Sequence, residues 1–253
     1  MCGRFAMDEK TNDLIEAFVL DGNDFRDWVP SFSVAPTDVI PIIRERRSST
    51  TGEVTRKVEA AVWDFHPAFV KESKRPQFNA RIETVATSGM WKGALASGRC
   101  IVPMRGYYEW TERAGSGPKP VKIPYFIHGA GAPGSGPLLA AAGLATARKV
   151  PNEAGELDWE VSTAIITREA RDASGEVHER MPAFLTPDLF GRWLDSEKLT
   201  DDAERDDLLA TLDRVSTEVA STVTTYEVDR RVNNSRAIDP ADPTLIEPAE
   251  NQI

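Results

Sequence analysis

From residue 39 to residue 167 the chain is a succession of short β-prone runs, each ended within a few residues by Gly, Pro or a polar turn. Val39-Ile40-Pro41-Ile42-Ile43 and residues 58–65 read as strands, separated by the polar turn 46–52. Residues 99–104 are apolar, and Gly106 then leads into Tyr107-Tyr108-Glu109-Trp110, an aromatic density that favours another strand. A Gly/Pro/Ser turn at 114–120 precedes Tyr125-Phe126-Ile127, residues 129–137 form a loop, and a polar, exposed connection at 148–159 leads into a strand at 161–167. Helices are few. Thr11 as N-cap, with Leu14, Ile15, Phe18 and Val19 on one face, predicts a helix over 11–19, and 187–194 predicts a second. The clearest is 201–221, with acids in its first turn and Leu208, Leu209, Leu212, Val215 and Val219 on one stripe. The pattern is that of a β-rich α+β fold. No repeat or linker divides residues 1–253, so a single domain is expected.

With 253 residues, 41% of them hydrophobic, the chain has enough apolar surface for a core, and 28% charged residues do not make it disordered. Its longest apolar stretches, such as 138–142, fall far short of the ~20 residues of a membrane span, so no membrane partner is expected. The N-terminus has no apolar segment of a signal peptide, which together with two cysteines points to the cytoplasm. Cys2 and Cys100 make neither a disulfide framework nor a metal-binding CxxC. The net charge of -10 looks hostile to nucleic acid, but its distribution changes that reading. Residues 1–110 hold 15 basic and 15 acidic residues, whereas 195–229 hold 3 and 11. Because salt confines exposed charges to roughly 8 Å, a basic cleft in the N-terminal half is compatible with that acidic segment.

Cys2 is the most informative position. Removal of Met1 leaves it with two nucleophiles on one residue, an α-amine with a pKa of about 7.7–8.0 and a thiol near ~8.5. The amine can attack an aldehyde to give an imine, which the thiol closes to a five-membered thiazolidine. Alternatively the thiol attacks an amide with the amine as base. The plain alternative is a chance cysteine. Cys100, within an apolar strand, reads as inert core. Of His66, His128 and His178, only His178 sits in a loop-like stretch before a proline, where functional groups are often presented. Glu109, between Tyr108 and Trp110, faces either water or a cleft, and a carboxylate in aromatic company has a raised pKa suited to proton transfer.

Five motifs follow in order: Met1-Cys2-Gly3-Arg4-Phe5, Phe78-Asn79-Ala80-Arg81-Ile82-Glu83-Thr84, Arg99-Cys100-Ile101-Val102-Pro103, Gly106-Tyr107-Tyr108-Glu109-Trp110 and His178-Glu179-Arg180-Met181-Pro182. Ser33-Val34-Ala35-Pro36-Thr37, Pro124-Tyr125-Phe126-Ile127 and Val232-Asn233-Asn234 support them. Together, across about residues 2–248, they make the chain resemble the SRAP (SOS response-associated peptidase) family, which senses abasic sites in single-stranded DNA. The resemblance implies a barrel-like core of mixed and antiparallel strands with a few peripheral helices, and Cys2 at the base of a DNA cleft. It implies covalent capture of the ring-opened sugar by Cys2, an abasic-site cross-linking activity with possible lyase and cysteine peptidase (hydrolase) character. Asn79 would orient the amine or the sugar, Glu109 would shuttle protons, and His178 would protonate the sugar oxygen. Arg4 and Arg81 would grip phosphates, Pro36 would help wedge the DNA, and Trp63 and Phe69 would belong to a base-stacking platform. No metal or other cofactor is implied, and a monomer is expected, cytoplasmic or, in a bacterium, nucleoid-associated.

One stretch departs from the family pattern. Trp-Gly, a Pro and one or two further tryptophans are usual, but here the run is Trp63-Asp64-Phe65-His66-Pro67-Ala68-Phe69-Val70. Stacking contributes roughly 1–3 kcal/mol per base, so weaker binding is expected, more so where Asp64 faces phosphate. Two other classes compete. One is an N-terminal-cysteine peptidase or amidohydrolase, including one that cleaves its own N-terminus; class II glutamine amidotransferases also begin Met-Cys-Gly. The other is a non-catalytic DNA-binding module, for which Cys2 is dispensable.

Overall fold

The computed structural model describes residues 2–8, 11, 29–48, 50–70, 75–115, 119–132 and 136–249. In chain order the first strands are β1 (Phe5–Met7), β2 (Ser31–Val34), β3 (Val39–Arg47), β4 (Val54–Val62), β5 (Asn79–Arg81) and β6 (Arg99–Met104). They are followed by β7 (Gly106–Arg113), β8 (Val121–Gly129), β9 (Leu139–Pro151), β10 (Leu157–Glu169), β11 (Arg180–Pro182) and β12 (Val223–Glu227). Among the described residues the α-helices are α1 (Lys92–Ser97), α2 (Asp172–Gly175), α3 (Pro187–Leu194) and α4 (Asp202–Ala220). Apart from Thr11, the helix expected over 11–19 lies outside the described residues.

Strands β10, β4, β3, β6 and β9 pair in that order, and β9 pairs back onto β10, closing a five-stranded barrel. The barrel is mixed, because β4 and β10 run parallel whereas its other pairs are antiparallel. The expected β-rich, barrel-like architecture is therefore the observed one. All six residues of β6 are buried, as are the first seven of β9, so both strands are covered on each face. Gly143 of β9 lies opposite Cys100, and a Cβ there would sit 2.8 Å from the Cys100 sulfur, so only glycine permits this approach. A second, antiparallel sheet has the order β12-β8-β7-β1-β2. It brings the N-terminal strand beside the Tyr-Tyr-Glu-Trp strand.

Two sequence expectations are corrected. The polar connection expected at 148–159 is largely strand, because its charges alternate and pair across the β9–β10 hairpin. Arg148 meets Glu160, and the Lys149 ammonium lies over the Trp159 ring. Only 152–156 turns, with Asn152 accepting from the backbone of Ala154 and Glu156. The turn expected at 46–52 similarly shortens, since Arg44 and Arg46 pair with Glu59, and Glu45 pairs with Arg56, extending β3 and β4.

Arg99 is 5% exposed and faces carbonyl oxygens. Its guanidinium donates to Leu95, Ala96, Trp193, Asp195 and Glu197, tying together the C-terminal ends of α1 and α3. Helix α4 is capped by Asp201, which accepts from the Glu204 amide, and buries Leu208, Leu212, Val215, Ser216 and Ala220. Arg168 of β10 reaches α4 at Asp213 and Thr217, fixing the helix against the barrel.

Candidate active site

Three elements converge on Cys2, which is fully buried. The first is β7. Phe5 lies opposite Tyr107, and the Tyr108 amide donates to the Arg4 carbonyl, carrying the pairing toward the chain start. The second is β5, held in parallel register on β10 with Asn79 opposite Ile165. From there the Asn79 amide nitrogen donates to the Cys2 carbonyl at 2.8 Å. The third is the segment between α2 and β11. Its His178 Nε2 lies 4.0 Å from Glu109 Oε2, while His178 Nδ1 accepts from the Arg180 amide at 3.0 Å. An accepting Nδ1 leaves the proton on Nε2, so the ring turns its N–H toward Glu109.

The electrostatics follow from burial. The Glu109 side chain is 3% exposed, and desolvation pushes its carboxyl up to about 7, within the range where an acid both gives and takes protons at neutral pH. Burial also lowers His178, favouring neutral imidazole. The Cys2 thiol is raised, first by burial and then by the nearby Glu109 carboxylate, so it rests protonated. Its sulfur donates toward the Arg4 carbonyl at 3.9 Å. Sequence reasoning anticipated the raised carboxyl of Glu109.

Cys2, Asn79, Glu109 and His178 thus come together from separate parts of the chain. Arg4 and Arg81 each stand two residues beyond a member of this group, on strand segments joined by the Asn79–Cys2 hydrogen bond. Arg4 is half-buried and anchored to Ser33 Oγ and the Val232 carbonyl, whereas Arg81 is exposed. Asn233, beside Val232, accepts from Trp110 Nε1 and donates to the Lys122 carbonyl, which gives the C-terminal motif a clasping role. Pro36 lies in a tight turn closed by Asp38. The next residue, Thr37, has a φ of +83°, a costly conformation for a β-branched residue.

Trp63 lies elsewhere than a stacking platform requires. It is fully buried, its ring edge-on to Phe5 at 4.8 Å and to Phe78 at 5.6 Å, and its Nε1 donates to the Phe78 carbonyl. Enclosed in this way, it supports the strand that carries Asn79. Phe69, 68% exposed, has a free face. Asp64 is buried too, accepting from the Gln77 amide and facing His66, so its charge is spent within the fold. Sequence reasoning missed a clamp at Arg180, whose guanidinium grips Glu83 through two contacts and also donates to the Thr167 carbonyl. Both residues stood inside quoted motifs, but only their contact reveals the pairing.

The model of the SOS response associated peptidase (SRAP) family matches residues 1–235 of this chain. The chain belongs to the SRAP family. Among its SRAP relatives, "Abasic site processing protein YoqW" of Bacillus subtilis is 30% identical over 246 residues, 95% of this chain and 97% of that protein. "Abasic site processing protein YedK" of Escherichia coli is 29% identical over 201 residues, 78% of this chain and 81% of its own length. A crystal structure of a Bacteroides thetaiotaomicron protein superposes with a TM-score of 0.71 at 22% identity, covering 98% of this chain and all of that one, and so shares the SRAP fold seen here.

Proposed function

We propose that this protein processes abasic sites in DNA, capturing them in single strands as a covalent adduct of Cys2 once Met1 has been removed. The observation that carries the reading is the convergence on Cys2 of an amide anchor, Asn79, and a proton-transfer pair, Glu109 and His178. The names of its family relatives support the substrate class.

The chemistry runs through the Cys2 amine first. Ring opening of the abasic sugar exposes an aldehyde and requires a proton at the ring oxygen, which His178 supplies from its imidazolium form and regains by way of Glu109. The amine adds to the aldehyde carbon, water leaves with a proton from Glu109, and the thiol then closes the ring. A carboxyl near 7 serves as donor in one step and acceptor in the next. A protonated, buried thiol disfavours the competing peptidase chemistry, which needs thiolate at the first step. Arg4 and Arg81 provide the phosphate grip, the Pro36–Thr37 turn the wedge, and Phe69 the stacking face.

The test uses a uracil-containing oligonucleotide pretreated with uracil-DNA glycosylase, followed by denaturing electrophoresis. Wild type should give a heat-stable shifted band, Cys2→Ala none, and Cys2→Ser at most a labile one. A stable adduct of normal yield with Cys2→Ala would overturn the assignment, as would a wild-type protein that forms none.

A further inference from the structure

Three buried polar atoms near the site are left without a full set of partners: Asn79 Oδ1 has none, and the hydroxyls of Tyr107 and Ser174 have only each other. Asn79 is accounted for, since its amide nitrogen holds Cys2 and its oxygen is left for an incoming group. The two hydroxyls reach nothing beyond each other. Tyr107 is fully buried in the core cluster that contains Cys2, with its ring 6.0 Å from Phe184. A phenylalanine would pack there equally well, so the hydroxyl, whose one neighbour is Ser174, adds nothing to the packing.

Its position indicates a use. Tyr107 precedes Glu109 by two residues on β7, so both side chains leave the same face of the strand. It lies within electrostatic reach of the Cys2 thiol and the Glu109 carboxylate, and the Ser174 hydroxyl lies beside its own. Ser174 belongs to α2, and its carbonyl accepts from the His178 amide at 3.0 Å. The phenol therefore stands between the nucleophile, the acid and the segment bearing His178.

Building on the cross-linking reading, we propose that Tyr107 is a positioning residue for the Cys2 sulfur, its hydroxyl donating to Sγ as the thiol adds to the imine carbon, with Ser174 holding that hydroxyl from behind. In this step the C–S bond forms, the C=N π pair moves to nitrogen, and the sulfur's proton ends on that nitrogen. No oxidant or reductant is needed. Negative charge gathers on sulfur during the transfer. The contact the sulfur makes at rest, with the Arg4 carbonyl, is to an acceptor, and an ionised Glu109 opposes that charge. A hydroxyl donor held near the sulfur offsets both.

The experiment compares Tyr107→Phe and Ser174→Ala with wild type, each with Met1 removed. Single-turnover reactions with an abasic oligonucleotide are quenched with borohydride to count imine, or with heat to count closed ring. In parallel, iodoacetamide alkylation of the N-terminal peptide is followed against pH by mass spectrometry. The charged groups facing the thiol are Glu109 from β7, His178 beyond it and the Cys2 amine, and both variants keep them. Tyr107→Phe should form imine at the wild-type rate, close it roughly tenfold more slowly, and move the alkylation profile to higher pH. Ser174→Ala should do the same by about two- to threefold. Wild-type closure and an unmoved alkylation profile in Tyr107→Phe would overturn the proposal. A wild-type protein that yields no borohydride-trapped imine would refute the cross-linking reading, while the alkylation profile would still decide whether Tyr107 acts on the sulfur.

Discussion

Glutamine at position 109 preserves the shape of the side chain and removes its ionisation, so it measures what the buried carboxyl costs the fold. Glu109 is 3% exposed, and its burial moves its titration from an ordinary 4.5 to about 7. The folded state therefore keeps this proton up to about pH 7, whereas the unfolded chain releases it near 4.5. Between those values the folded state binds more protons, and stability falls as pH rises. The accumulated cost is roughly 3 kcal/mol above pH 7 and vanishes below 4.5. Thermal unfolding of wild type and Glu109→Gln, followed by circular dichroism from pH 4 to pH 8, isolates the term as a difference between the two proteins. Titrating groups remote from position 109, including the lowered His128, cancel in that difference. The variant should gain on wild type steadily across the range, reaching roughly 6–12 °C in Tm by pH 8 for a chain of this size. A difference that stays flat with pH would refute the raised carboxyl. A difference that shrinks as pH rises would mean that the folded state stabilises the carboxylate, which would reverse the argument.

The remaining expectations concern rate, grip and fold. Glu109→Gln and His178→Ala should each slow adduct formation by about 10²–10⁴ while leaving affinity for undamaged single strands unchanged in fluorescence anisotropy. Arg81→Ala should weaken non-covalent binding to every sequence and flatten the log K against log salt slope by about 0.7. Arg205→Ala should leave that slope unaltered, because Asp202 and Asp206 already engage its guanidinium. Arg99→Met leaves carbonyls of two helix ends without their donor and should cost at least about 3 kcal/mol in urea unfolding. Thr37→Asn, better suited to a φ of +83°, should add about 1 kcal/mol of stability in the same assay.

Short apolar runs punctuated by Gly and Pro were enough to read a β-rich chain, because strand periodicity is local. The apolar stripe of α4 and the acids of its first turn were legible for the same reason. The reading failed where local polarity suggested a loop but partners across the hairpin made a strand, as with Arg148 and Glu160. It also failed at Trp63, since an aromatic at a motif position looks the same whether its faces are free or packed on Phe5 and Phe78.

The sequence by itself determined which chemistry is on offer: a cysteine at position 2, an acid among aromatics, a histidine before a proline, and arginines within the first two motifs. Those are properties of residue type and neighbours, and they do not depend on folding. The tertiary structure alone decided the rest. Parallel pairing of β5 with β10 and antiparallel pairing of β1 with β7 bring residues 2, 79, 109 and 178 together across long stretches of chain. Only then does burial raise Glu109, and only then does the Tyr107 hydroxyl, partnered by Ser174 alone, stand near the nucleophile. Desolvation and unsatisfied hydrogen bonds are set by what surrounds a group in space, which a list of neighbours along the chain does not contain.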